Sequence, residues 1–179
     1  SKKEDAERVV REVTREVRRL LKENHDSVRE VLKRVDETVE RNSRSVKEVL
    51  RKVREVERED RRLREVVKEI EKRLRDLNER SKKLSKESKE ELKKLNDESR
   101  KVVEEIERRL KELVDLVRRG EVDLKEVVDR ARDLIRDLTR KVKESNERLE
   151  EIVERNEREV RKSDEDLKRL ADDLERKAT

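Results

Sequence analysis

One spacing governs what this chain can fold into: its apolar residues recur every 18 positions. Residues 10–27, VREVTREVRRLLKENHDS, align with 28–45, VREVLKRVDETVERNSRS, and with 46–63, VKEVLRKVREVEREDRRL. Val10, Val28 and Val46 coincide; so do Val17, Val35 and Val53, and Asn24, Asn42 and Asp60 fall in register with them. A second set runs 63–80, 81–98 and 99–116, aligning Leu74, Leu92 and Leu110. A third runs 127–144, 145–162 and 163–179, aligning Ala131, Leu149 and Leu167, then Val142, Val160 and Ala178. Eighteen residues make about five turns at 3.6 residues per turn, so such a repeat keeps one stripe on one face of a straight helix. A strict seven-residue repeat would instead impose a left-handed supercoil. Three sets of three repeats predict three helices of roughly 55 residues, each about 80–85 Å long.

The punctuation between repeats agrees. In LVRRGEVDLKEVV, Gly120 suits the left-handed position that ends a helix. Asp123 suits an N-cap, with Glu126 three residues on and Val122 placed to staple against Val127. Ser1 and Glu4 make a similar start for the first helix. The first turn, EREDRRL at 57–63, has no Gly or Pro; Asp60 is its only capping residue, and repeat phase places the break there. Ser27, Ser45 and Ser88, each three residues before a Glu, also match the capping pattern. Read as helix starts they would leave no residues for loops. The expectation is an all-α fold: an elongated, nearly straight antiparallel three-helix bundle running up-down-up. Its helices span about 2–58, 61–119 and 123–178, in a single domain over 1–179.

The repeat is what makes sense of the composition. With 59% charged and 29% hydrophobic residues, an aperiodic chain would be disordered. Periodic Glu, Lys, Arg, Leu and Val instead mark long helices or coiled coils. A net charge of +5 is small against 55 Lys and Arg and 50 Asp and Glu. There is no basic block and no aromatic residue on which a base could stack, so no nucleic-acid partner is expected. No apolar run of about 18 residues predicts a membrane span, and no signal segment opens the chain. Its first residue, Ser1, suggests a trimmed start. Without cysteine there is no disulfide framework and no thiolate metal site. The single histidine, His25, cannot build a metal centre alone, and the Glu-x-x-His motif of carboxylate-bridged bundles fails because residue 22 is Lys. No Gly-rich phosphate loop is present, and the serines fall at stripe positions rather than beside a base and its orienting group. No catalytic, cofactor-binding or metal-ligating residue is therefore assigned, and no enzyme activity, small-molecule ligand or cofactor is expected.

The polar residues in the stripes carry more information. A hairpin turn near 60 gives facing residues of helices one and two numbers summing to about 121, and a turn near 121 gives about 242 for helices two and three. Asn24, flanked by His25, then meets Asn96 and Ser99, which meet Ser145 and Asn146. Asn42 meets Asn78 and Ser81, level with Ser163; Thr38 meets Ser85, level with Asn156. Three buried polar layers are thus predicted. A buried polar group left without a partner costs about 1–3 kcal/mol, so polar groups at one height stabilise one register against others.

In the 18-residue straight-helix repeat, the EVDLKEVV exit after a lone glycine, the Glu/Lys/Arg surface and the Asn and Ser layers within Val/Leu stripes, the chain resembles de novo designed parametric helical bundles with buried hydrogen-bond networks. The resemblance covers the whole chain. It implies a structural scaffold with no natural biochemical function, whose polar layers specify register and helix pairing. Such designs commonly place a glycine in each turn; this chain lacks one in the first. The alternatives are a partner-binding or self-assembling helical module, with residues 57–62 a hinge between a turn and a continuous helix, and a single-helix spacer held by Glu–Lys and Glu–Arg pairs. About two apolar positions in seven make a narrow seam, which favours a monomer over a homo-oligomer.

Overall fold

A computed structural model describes residues 1–178; Thr179 lies outside the described residues. The fold is an all-α three-helix bundle. Helix α1 spans Lys2–Glu59, a 3-10 turn Arg61–Leu63 follows, α2 spans Arg64–Arg118 and α3 spans Leu124–Ala178. These bounds lie close to those expected from the repeat. The capping-box serines at 27, 45 and 88 all fall inside helices.

The ends form where local chemistry dictates. The Glu4 N–H donates to Ser1 Oγ at 3.2 Å, capping α1. At the end of α2, Gly120 takes φ 72. Its N–H donates to the Val117 carbonyl at 3.0 Å and that of Glu121 to the Leu116 carbonyl at 3.0 Å, the paired closing bonds of a Schellman motif. The Glu126 N–H then donates to Asp123 Oδ1 at 2.9 Å, opening α3. At the first turn Asp60 alone is extended, with φ −139 and ψ 99, and its carboxylate accepts from the Arg62 N–H at 3.1 Å.

The contacts divide into two compact units, and each helix runs through both. The first comprises Ser1–Glu30 and Glu91–Glu150. Its core is built from Val10, Val17, Ile106, Leu110, Val127 and Leu138, among others. The second comprises Val31–Glu90 and the chain from Glu151 onward. Its core includes Val46, Val53, Ile70, Leu74, Leu167 and Leu174. In each unit α1 and α2 are antiparallel: Glu7 pairs with Arg118 and Arg18 with Glu107 in the first, Asp36 with Lys89 and Arg54 with Glu71 in the second.

Layer composition follows from the repeat. In the first unit Val17, Ile106 and Leu138 are all buried; the corresponding trio in the second is Val53, Ile70 and Leu174. Both trios obey one rule: the α1 and α2 numbers sum to 123 (17 with 106, 53 with 70), and the α3 number exceeds that of α1 by 121 (138 over 17, 174 over 53).

Candidate functional site

The features here that could carry a function are the polar side chains set into these apolar stripes. In the first unit the Asn24 amide reaches both other helices. Its Oδ1 accepts from Ser99 Oγ at 2.8 Å, and its Nδ2 donates to Ser145 Oγ at 3.0 Å. Asn24 is 1% exposed, so this amide has left water and takes its partners from the bundle alone. His25 beside it is half-buried, and its Nε2 has no partner.

One repeat along α1, in the second unit, the same trio recurs as Asn42, Ser81 and Ser163. Asn42 Nδ2 donates to Ser163 Oγ at 3.0 Å and to Asp164 Oδ1 at 3.3 Å. Ser81 is buried, but its Oγ and Asn42 Oδ1 have no partner. These are the atoms that correspond to the Ser99–Asn24 bond of the first unit.

The third polar group pairs otherwise than the sequence arithmetic expected. Asn156 Nδ2 donates to Ser88 Oγ at 2.8 Å and to the Ile152 carbonyl at 2.9 Å. Its neighbour in this layer is Ser88, one turn along from the expected Ser85, and the α1 residue at that height is Val35 rather than Thr38. Thr38 and Ser85 are buried, and the Thr38 hydroxyl donates to its own helix at the Arg34 carbonyl, 2.8 Å away. Three further residues stand apart from the expected layers. Asn146 is exposed, while Asn96 and Asn78 are half-buried, one turn from Ser99 and Ser81.

A single shift explains which α2 residues take the polar partners. Each Cα–Cβ bond in a helix tilts toward the N-terminus, so a side chain covers the surface about one residue N-terminal to its own Cα. In antiparallel helices the two side chains lean in opposite directions along the axis. Facing side chains therefore carry numbers summing to about two more than facing backbones. Turn centres near 60 and 121 give backbone sums of 121 and 242; the bonded side chains sum to 123 (24 with 99) and 244 (88 with 156). Helices α1 and α3 are parallel, their side chains lean the same way, and the expected difference of 121 is the one observed in Asn24–Ser145 and Asn42–Ser163. Two residues are enough to select Ser99 over Asn96 and Ser88 over Ser85. Ser88 was legible as an in-phase polar residue; its place in a layer needed this correction.

Beside each repeat-equivalent layer lies a groove. The one in the first unit has a volume of about 480 Å³ and is lined by Asn24, Ser99 and Ser145 with Leu95, Val102 and Val142. The one in the second, about 330 Å³, is lined by Ser81 and Ser163 with Leu77, Leu84 and Val160. Leu77, Ser81, Leu84, Val160 and Ser163 each lie 18 positions from a lining residue of the first, as the repeat requires. Among the described residues no large hydrophobic side chain is exposed, and no group of three or more His, Cys, Asp or Glu is placed to hold a metal ion. No helix of the described residues is long and apolar enough to cross a membrane. No family model, no curated protein and no solved structure matches the chain.

Proposed function

We propose that this chain is a de novo designed structural scaffold, without a natural substrate, whose polar core layers specify which helices pair and at what height. The observation that carries this reading is the Asn24 amide bonded at once to Ser99 of α2 and Ser145 of α3. A side chain placed for stability alone would be apolar at this position, as Val28 is one turn further along. An amide satisfied by two other helices rewards one register, because a slip of one turn breaks both of its present bonds. The recurrence of the trio 18 residues away is the regularity of a specification rather than of a ligand site. The exposed face, free of large apolar side chains, suits the same reading.

Replacing Asn24 by Leu tests it. The urea midpoint is expected to hold or rise, since a buried amide gives way to an apolar side chain of similar size. The register should loosen at the same time. Distances between spin labels on exposed positions of α1 and α2 should broaden in Asn24→Leu and stay narrow in the parent. A loss of several kcal/mol, or a distribution as narrow as the parent's, would overturn the assignment.

A further inference from the structure

The two turns of this bundle are built differently. Residues 119–123 lie outside helix at the second, held by a glycine at φ 72. At the first, only Asp60 departs from helical geometry. The 3-10 turn Arg61–Leu63 follows it directly, and Arg64 is already at φ −52, ψ −46. No residue there has a positive φ, and the segment contains no Gly or Pro. The stripe also runs through it without a break: Val49, Val53, Val56, Asp60, Leu63, Val67 and Ile70 follow one another at steps of four and three. That is the spacing of one helix face. Asp60 is its single polar member.

We propose that Asp60 is a hinge, and that the partner it admits is a second copy of this chain. A change of backbone angles at Asp60 joins α1 and α2 into one helix over residues 2–118. Helix α1 of each chain then docks on α2 and α3 of the other, giving a two-fold symmetric exchange. Every contact α1 makes within its own chain is remade between chains, the Asn24 bonds to Ser99 and Ser145 included. The observed register supports the geometry. Facing side chains of α1 and α2 sum to 123, so two antiparallel copies of the long helix set Asp60 against Leu63 of the partner subunit, with the axis between residues 61 and 62. The continuous helix also satisfies the backbone groups that the turn leaves at the end of α1 and the start of α2.

What opposes the exchange is the same residue. In the turn the Asp60 carboxylate accepts from the Arg62 backbone N–H at 3.1 Å and from its guanidinium at 3.1 and 3.3 Å. In the long helix it would occupy the buried stripe opposite a leucine, where an unpaired charge is costly. Asp60 thus holds the chain as a monomer, and association adds a concentration-dependent cost of its own. The hinge does not depend on the scaffold reading, because the polar layers are the same within a chain and between chains.

The test replaces Asp60 by Leu and reads which chain α1 belongs to. The chain has no cysteine, so Glu7→Cys with Arg118→Cys supplies one cross-linkable pair where the two side chains now meet at 3.5 Å. After refolding from urea over a range of concentrations, a short bismaleimide is added and the mass is read under denaturing conditions. Asp60→Leu is expected to tighten dimerisation by about 100-fold, as removal of a buried carboxylate should. The cross-link is expected between chains, at twice the 21.8 kDa chain mass. Four glycines inserted after residue 60 of the same variant should return it to a monomer with the cross-link inside one chain. A monomer at all concentrations, a dimer whose cross-link stays within each chain, or a dimer that survives the glycine insertion would each overturn the proposal.

Discussion

At the scale of single residues, the two repeat-equivalent layers differ in how completely their atoms are paired. Ser99 holds Asn24 Oδ1, so Ser99→Ala strands a buried acceptor and should cost about 1–3 kcal/mol in urea unfolding. Ser81 occupies the same place in the second unit but makes no bond, so Ser81→Ala should cost clearly less. Equal losses from the two variants would mean that Ser81 bonds Asn42 in solution. Asp60 offers a second measurement. The side-chain bond from Arg62, and then the bond from the Arg62 backbone N–H, hold its carboxyl below the ordinary aspartate range. A carboxyl shifted this way stabilises the turn fully above its unfolded-state value, near 4, and loses that contribution as pH falls through the lower folded value. A carbon-13 titration of the Asp60 carboxyl should therefore show a midpoint below about 4 that rises in Arg62→Ala. No change in that variant would remove the guanidinium from the account of this turn.

At the scale of elements, the closing of α2 depends on one backbone conformation. Gly120 at φ 72 lies where L side chains are strained, although an added Cβ would meet nothing within 4 Å. Gly120→Ala should therefore cost about 1–2 kcal/mol through backbone conformation alone, with no repacking around it. A cost near zero in thermal or urea melts would mean that the Schellman ending gives way to another. The helix bounds were legible in the sequence because each signal is local: an Asp or Ser cap, a glycine, a stripe that recurs every 18 residues. The first turn was less so. Asp60 is its only signal, and the 3-10 turn Arg61–Leu63 between the two long helices has no mark in the residues themselves.

At the scale of the molecule, charge is abundant and contributes little to holding the helices together. The pairs between helices, such as Arg18 with Glu107 at 3.5 Å and Arg34 with Glu157 at 3.2 Å, are exposed on at least one side. Exposed pairs are screened by salt and individually weak. Raising sodium chloride from about 0.05 to 1 M should leave the urea midpoint nearly unchanged, whereas a marked fall would show that these pairs act as a network. The apolar stripes and polar layers carry the specificity instead. The sequence alone determined the helical stripes, the bounds of the turn at Gly120 and that Asn24, Ser99 and Ser145 share a height, because period and caps are properties of one strand of chain; that residues 57–62 turn rather than continue as helix was decided by the structure. Only the tertiary structure decided that Asn156 meets Ser88 rather than Ser85. That choice turns on the lean of side chains toward the N-terminus of each helix. In antiparallel neighbours that lean adds two residues to every pairing, and in parallel ones it adds none.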